Sequence, residues 1–364
     1  MSLKAGIIGM PNVGKSTLFN AITTKNILAA NYPFATIEPN LGTVVVPDER
    51  LDKLNEMYHP ERLIATQYEF IDIAGLVKGA SNGEGLGNKF LSHIREVDAV
   101  IEVVRCFSDK DVIHVEGSIN PVRDIEIINL ELTMSDLDVV ENRLERIEKK
   151  AKTTNDKELQ KEVVILNRCK DALSEGTPIR KIDFEEEELK LIKNYNLITQ
   201  KPIIYLANVN EEDIISGTNE YIQSVRDYIG DDTLILMCAK IESELAELSL
   251  EDKKAFMSDL GIEHSGLDQL IQRTYEILGL KTFFTVGKDE VRAWTFKDGM
   301  KAPECAGIIH TDFQRGFIKA EVMSYEDLVT CGSELKVKEM GKARLEGKDY
   351  IMQDGDICLF RFNV

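Results

Sequence analysis

The amino-acid sequence predicts an α/β protein with an open sheet covered by helices on both faces, an inserted antiparallel helical hairpin and a small C-terminal α+β domain. Three observations support this prediction. First, short apolar runs alternate with helical patterns in two groups. Second, these groups are separated by a stretch in which apolar residues are spaced alternately by three and four. Third, closely spaced short strands follow residue 281. A chain of 364 residues is long enough for two or three domains with a sizeable core.

Six apolar runs flanked by glycine- or proline-containing loops are predicted as strands of the open sheet. They cover residues 4–8, 43–46, 68–71, 99–104, 202–207 and 234–238. Buried apolar strands that alternate with helices are typical of a sheet with helices on both faces. We assign residues 1–125 and 200–280 to this domain.

The helical hairpin is predicted for residues 126–199 from two apolar seams. The polar stretch 153–156 separates them, and they consist of Leu137, Val140, Leu144, Ile147 and Ala151, then Leu159, Val163, Leu166 and Leu173. Narrow seams with charged flanks indicate two helices that pack against each other in antiparallel fashion. Two roles stay open, a structural strut and an arm that docks on a partner.

The composition is acidic, with 63 Asp and Glu against 44 Lys and Arg and a formal net charge of −19. This charge disfavours sequence-blind nucleic-acid binding, and we expect no sequence-specific DNA binding. The six cysteines show neither a C-x-x-C pair nor metal-ligand spacing, so we expect free thiols in a reducing cytoplasm. We find no signal peptide and no long apolar run, and expect no membrane association.

Residues Gly9 to Ser16 fit the phosphate-binding pattern G-x-x-x-x-G-K-S, or P-loop. The motif follows the first strand and opens a helical pattern, the context that it requires. Backbone N–H groups at the positive end of that helix would face the phosphates of a nucleoside triphosphate. We expect Lys15 to contact the β- and γ-phosphates and the Ser16 hydroxyl to ligate Mg²⁺.

A second motif, D-x-x-G from Asp72 to Gly75, ends the third predicted strand. We expect Asp72 to hold Mg²⁺ through water and the Gly75 amide to sense the γ-phosphate. Thr36, in a loop that follows Pro33, is the candidate for the switch I threonine. The alternative is an ordinary loop threonine.

Leu76 occupies the position at which Ras-like enzymes carry the glutamine that orients the attacking water. A leucine side chain cannot do this, so hydrolysis is slow or another group replaces the glutamine. His114, in the loop after the fourth strand, is one candidate, and an exposed histidine without a role is the alternative. Asn12 is a second candidate, through coordination of K⁺ in place of an arginine finger.

The fifth strand leads into Asn208-Val209-Asn210-Glu211, where guanine-binding proteins carry N-K-x-D. That aspartate accepts two hydrogen bonds from guanine, whereas a glutamate is one methylene longer. Loss of a matching acceptor removes most of the preference for guanine and admits adenine. Cys238-Ala239-Lys240, after the next strand, occupies the place of the S-A-K loop that contacts the base in such proteins. The sequence therefore predicts ATP over GTP.

The order GMPNVGKST, DIAGLVKGASNGEGLGNKFL, NVNE and GFIKAEV…DGDICLFRFNV resembles the YchF family of Obg-like ATPases over essentially the whole chain. The resemblance implies a P-loop NTPase with a C-terminal TGS domain of β-grasp fold at residues 281–364. It also implies slow, Mg²⁺-dependent hydrolysis of ATP to ADP and association with ribosomes. By this resemblance Ser16 and Thr36 are metal ligands, and the ATP contacts are Asn12, Val13, Gly14, Lys15, Ser16, Thr17 and Val209.

Two features would link such an ATPase to a partner. The glycine-rich segment from Gly75 to Gly87 could be ordered by the γ-phosphate and released on hydrolysis. The basic cluster Lys336, Lys338, Lys342, Arg344 and Lys348 has two interpretations, a solvated strand face or a contact with ribosomal RNA.

The leading hypothesis is an ATP-hydrolysing switch that docks on the translation machinery. Two rivals stay open. One is a GTPase whose altered base motif still binds guanine, and the other is a nucleotide-gated scaffold whose Leu76 marks lost catalysis. A small-molecule kinase is disfavoured, because kinases need no D-x-x-G motif with a trailing glycine-rich segment.

Overall fold

The computed structural model describes residues 3–29, 40–73, 85–109, 117–262 and 264–363. Its contacts divide the chain into two compact units, Met1–Thr43 with Glu69–Gln269 and Val44–Tyr68 with Leu270–Val364. The strands are β1 (Lys4–Gly9), β2 (Leu41–Val45), β3 (Arg62–Ile64), β4 (Gln67–Asp72), β5 (Ala99–Arg105), β6 (Ile203–Asn208), β7 (Thr233–Met237), β8 (Leu280–Thr285), β9 (Glu290–Lys297), β10 (Phe317–Ser324), β11 (Arg344–Glu346) and β12 (Asp356–Phe362).

The helices of the first unit flank its sheet, form the hairpin or follow the last strand. They are α1 (Lys15–Ala29), α3 (Gly85–Arg95), α4 (Pro121–Thr154), α5 (Lys157–Ser174), α6 (Glu186–Ile192), α7 (Glu211–Ser216), α8 (Glu220–Ile229), α9 (Ala239–Glu247) and α10 (Leu250–Asp259). The boundary between the units falls within α11 (Gly266–Ile277), and α2 (Glu49–Tyr58) belongs to the second unit. The second unit also holds α12 (Ala302–Ile309), α13 (Thr311–Arg315), α14 (Tyr325–Cys331) and α15 (Glu334–Glu339).

The first sheet has the strand order β2-β4-β1-β5-β6-β7, and the pairs from β4 to β7 are parallel. Every residue of β5 and β6 is buried, as expected for central strands with helices on both faces. The predicted open α/β sheet is confirmed, and each of its six predicted strands is present. The carboxyl ends of β1, β4, β5, β6 and β7 lie at one edge of the sheet, where ligands bind in this class of fold.

The predicted helical hairpin is also confirmed, as α4 and α5 joined by two residues. Asn155 closes α4 in the left-handed region (φ 49°), and the Asp156 side chain caps the first turn of α5. Both seams bury their apolar residues in one cluster with the segment that follows α5. However, α4 begins at Pro121, well before the seam. The signal was Asn120 as N-cap with proline at the first helical position.

A buried carboxylate, Asp136 of α4, connects the hairpin to the chain that returns to β6. Asp136 is fully buried and accepts hydrogen bonds from the N–H groups of Ile198 (3.0 Å) and Thr199 (2.7 Å) and from the Thr199 hydroxyl (2.8 Å). Arg95, the last residue of α3, donates to Asp136 (3.3 Å) and to the hydroxyl of Ser135 (2.9 Å). One side chain therefore joins three segments of the first unit.

The second sheet has the order β11-β10-β12-β8-β9-β3, with an apolar cluster on each face. β3 pairs in parallel with β9, and Leu51 and Leu54 of α2 pack against Phe284 and Val291. Residues 44–68 therefore belong to this unit, whereas the sequence-based boundaries place them in the first domain. The difference arises because this segment, although far away in the sequence, adds strand β3 to the second sheet and helix α2 to one of its apolar clusters.

Three helices of the C-terminal segment were not predicted. The sequence indicates one helix at residues 324–329, which corresponds to α14, while α12, α13 and α15 are additional. Lys336 and Lys338 of the basic cluster lie on α15 and not on a strand. Lys342 and Arg344 pair with Asp327 (2.7 Å) and Glu346 (3.5 Å), so part of the cluster is neutralised within the protein.

All six cysteines are buried free thiols. In the part of the chain that the structure describes, no helix is both long enough and apolar enough to cross a membrane.

Glu102, on the central strand β5, is a buried acid, and among the described residues neither of its carboxylate oxygens has a hydrogen-bond partner. Burial raises the pKa of Glu102 well above its ordinary value of 4.5. Arg180 opposes this rise and Asp124 adds to it. The folded protein therefore holds this proton more strongly than the unfolded chain does. Between the two pKa values, the free energy of unfolding falls as the pH rises.

We expect Glu102→Gln to raise the free energy of unfolding by about 1 kcal/mol or more at pH 7.5, because glutamine carries no charge to desolvate. The gain should shrink as the pH falls and level off below 4.5, where Glu102 becomes protonated in both states. Urea unfolding of variant and parent at several pH values measures this. Glu96→Gln, at an exposed site, is the matched control. A gain that does not change with pH would contradict the assignment.

Candidate functional site

The P-loop connects β1 to α1 at the carboxyl edge of the first sheet. Asn12 and Gly14 adopt left-handed conformations, with φ 65° and 97°. A Cβ atom on Gly14 would lie 2.2 Å from Nδ2 of Asn208, so only glycine fits there. Because α1 begins at Lys15, the unpaired N–H groups of its first turn face this loop. The geometry suits an anion such as a phosphate.

Lys15 and Asp72 form an ion pair at this edge. β1 and β4 are adjacent parallel strands in which Ile7 faces Asp72, so the end of β4 lies beside the P-loop. The Lys15 ammonium donates to Oδ1 of Asp72, and both side chains are mostly buried. The two predicted motifs thus lie together, and the Ser16 side chain is exposed at the start of the same helix.

The oxygen atoms at this edge fit a magnesium ion. Mg²⁺ prefers carboxylate, hydroxyl and phosphate oxygens over nitrogen or sulfur, and proteins often supply only one or two of them. Ser16 and Asp72 provide a hydroxyl and a carboxylate of this kind.

The predicted base pocket lies at the ends of β6 and β7. Asn208 is buried, its Nδ2 donates to the carbonyl of Val13 (2.9 Å), and its Oδ1 accepts from the N–H of Ala239 (3.1 Å). One amide therefore joins the P-loop to the start of α9. Val209, Ala239 and Cys238 are buried around it, and burial raises the pKa of the Cys238 thiol.

Glu211, the first residue of α7, lies at the rim of this pocket. The Lys240 ammonium donates to its Oε1 at 2.9 Å, and the two side chains are 72% (Lys240) and 49% (Glu211) exposed. Thr17 is exposed on the first turn of α1. Of the predicted site residues, Thr36, Gly75 and His114 lie outside the described residues, as does Leu76.

Arg105 was missed by the sequence analysis. It ends β5 opposite Asn208, is buried, and donates to the carbonyls of Phe107 and Asp109 at 3.2 Å each. Its guanidinium also lies 4.6 Å from the centre of the Phe107 ring. The side chain thereby shapes the chain that leaves β5 next to the base pocket. An arginine that follows an apolar strand is too common a pattern to have revealed this role.

A strand, a glycine-rich loop with Lys15, a helix, and Asp72 at the end of the neighbouring strand together define a P-loop nucleoside-triphosphate-binding protein. Residues 4–168 match a family described as 50S ribosome-binding GTPase, and residues 280–363 match the C-terminal family of YchF GTPases, described as a protein of unknown function. The chain belongs to the YchF family, which confirms the resemblance.

Individual relatives cover the full length of the chain. Proteins named ribosome-binding ATPase YchF from Bacillus subtilis (strain 168) and Escherichia coli O157:H7 are 56% and 49% identical, over 100% of both chains in each case. A solved structure of the Schizosaccharomyces pombe YchF GTPase is 43% identical, covers 99% of this chain and 98% of its own, and superimposes with a TM-score of 0.91. The bacterial relatives are thus named for ATP and the Schizosaccharomyces pombe protein for GTP.

Proposed function

We propose that this protein is a ribosome-associated ATPase that prefers ATP to GTP, hydrolyses it slowly with Mg²⁺ and acts as a nucleotide-dependent switch. The observation that carries the preference is the end of β6, where Asn208 keeps its link to the P-loop. There, the buried Val209 and the exposed Glu211 replace the lysine and aspartate of guanine-binding proteins. The names of the bacterial relatives support both ribosome binding and ATP hydrolysis. Ribosome binding would place the protein in the cytoplasm.

The P-loop residues would bind the triphosphate. The N–H groups from Asn12 to Thr17 contact phosphate oxygens, and Lys15 supplies a positive charge at the β- and γ-phosphates. Ser16 and Asp72, with Thr36, would hold Mg²⁺, which when bound neutralises charge on the phosphate oxygens.

The base would lie between the ends of β6 and β7, against Asn208, Val209, Cys238 and Ala239, with Glu211 at the rim. Gly75 would sense the γ-phosphate through its amide. Because Leu76 cannot orient water, we assign that role to His114 and retain K⁺ held by Asn12 as the second candidate. Either arrangement lacks the Ras-like glutamine and accounts for slow turnover.

Parallel titrations of the protein with ATP and GTP in the presence of Mg²⁺ test the nucleotide preference. We expect a lower Kd for ATP, and a clear preference for GTP would contradict the proposal. Single-turnover hydrolysis of ATP then separates the ATPase from a scaffold. A rate equal to that of the Lys15→Ala variant would favour the scaffold.

Sedimentation with ribosomes tests the switch. We expect the fraction bound to differ between an ATP analogue, ADP and no nucleotide, because contacts of the γ-phosphate order the D-x-x-G segment. Equal binding in all three conditions would contradict a switch.

A further inference from the structure

The ion pair of Lys240 with Glu211 follows from the register of two strands. β6 and β7 are adjacent and parallel, and Asn208 faces Met237. The N–H of Val209 donates to the carbonyl of Met237 (2.9 Å), so the alignment continues past the strand ends. Glu211 and Lys240 lie equally far beyond the facing residues, and their side chains meet at 2.9 Å.

The backbone beneath both side chains is held in place. Glu211 is the first residue of α7, and Lys240 is the second residue of α9. The N–H of Ala239 donates to Asn208, so the start of α9 is fixed to the strand that carries Glu211. The hydrogen bond to Glu211 raises the pKa of Lys240.

Adenine and guanine place different demands on a carboxylate at this rim. Guanine presents two neighbouring donors, N1–H and the 2-amino group, whereas adenine presents an acceptor at N1 and has no 2-amino group. An unpaired carboxylate would accept from guanine and repel the lone pair of adenine N1. A carboxylate that already accepts from an ammonium has one oxygen engaged and its charge compensated. The ion pair therefore weakens the interaction that favours guanine.

We propose that Lys240 is a specificity-determining residue, which holds the Glu211 carboxylate in an ion pair and so weakens its ability to accept hydrogen bonds from guanine. The inference rests on the proposed preference for ATP and supplies one cause of it. Both side chains are largely exposed, and an exposed ion pair can change a relative affinity by about two- to fivefold. The remaining discrimination comes from Val209 and from the length of the glutamate.

The test measures Kd for ATP and for GTP, with Mg²⁺, in the parent protein, Lys240→Met, Glu211→Gln and the double variant. Methionine keeps an unbranched side chain, one atom shorter than that of lysine, but cannot donate a hydrogen bond. We expect Lys240→Met to strengthen GTP binding relative to ATP by about two- to fivefold. The double variant should show the same ratio of GTP to ATP affinity as Glu211→Gln alone, since it has no carboxylate that the loss of Lys240 could release. Lys190→Met removes an equally exposed lysine that pairs with Glu186, and should leave both Kd values unchanged.

An unchanged ratio of GTP to ATP affinity in Lys240→Met would overturn this inference. A shift of the same size in the Glu211→Gln background would also overturn it, because the carboxylate would then not be the group released. The proposed function is judged separately, on the parent protein. A GTP preference there contradicts it whatever Lys240→Met does. Lys240→Ala is the second variant, and thermal unfolding verifies that each protein is folded.

Discussion

Replacement of Lys15 by alanine is expected to lower single-turnover ATP hydrolysis by about 100- to 1000-fold, the cost of one lost donor to developing charge. Lys15 begins α1 and is the only cation within the P-loop motif Gly9 to Ser16, so no other residue of that motif can replace its charge. ATP binding should weaken as well, because the ammonium contacts the ground-state phosphates too. Rapid-mixing hydrolysis assays at saturating ATP and direct titration measure the two effects.

Lys190→Ala is the matched control for Lys15→Ala, since Lys190 lies on α6, in the chain that follows the hairpin, and pairs with an exposed glutamate. Lys15→Ala also leaves Asp72 without its ion-pair partner. A urea unfolding curve for the variant shows whether the loss of activity reflects a loss of fold. Hydrolysis at the rate of the parent protein, in a folded variant, would refute the assignment of the phosphate site.

Asp136→Ala is expected to destabilise the first unit by about 3 kcal/mol or more. The substitution leaves the N–H groups of Ile198 and Thr199 and the Thr199 hydroxyl without their acceptor, and removes the counter-charge of Arg95. When several buried groups lose a charged hydrogen-bond partner, the free energy of unfolding falls by several kcal/mol in total. Urea-induced unfolding followed by circular dichroism measures the change.

Asp138→Ala is the control, because Asp138 lies on the same helix, two residues after Asp136, and is exposed. Its substitution should change stability by less than about 0.5 kcal/mol. Equal destabilisation by both variants would mean that helix α4 itself, and not the buried network of Asp136, determines the result.

The first sheet could be predicted from sequence because each strand carries its own signal. Residues 99–105 and 203–208 are mostly apolar runs bounded by loops. A strand that is buried on both faces can be recognised from its local composition alone. The start of α4 could not be obtained from its seam, since the apolar cluster that α4 shares with α5 includes residues of α4 only from Leu137 onward. An N-cap asparagine followed by proline was the available signal.

The second unit was harder to predict because it is assembled from distant segments. Nothing local in residues 62–64 indicates that they pair with residues 290–292, and partner choice between strands depends on tertiary packing. Likewise, α12 is too short to show a clear helical period.

The candidate site shows the same division. Lys15, Asp72 and Asn208 each belong to a short motif whose residue spacing is set by a single local turn. They were therefore found from the sequence. The link from Asn208 to Val13 joins residues far apart in the chain, and the pairing of Glu211 with Lys240 depends on the register of two strands. Both are visible only once the sheet is assembled.

The recruitment of residues 44–68 into the second unit has a consequence for biosynthesis. α2 and β3 are translated early, but β8, β9 and the other strands that they pack with emerge only when the last quarter of the chain is made. During this interval Leu51 and Leu54 have no apolar partners from the C-terminal segment. Folding of the second unit is therefore a late event that waits for the synthesis of residues 280–362. A fragment that starts at residue 280 would be produced without one of its core-forming helices.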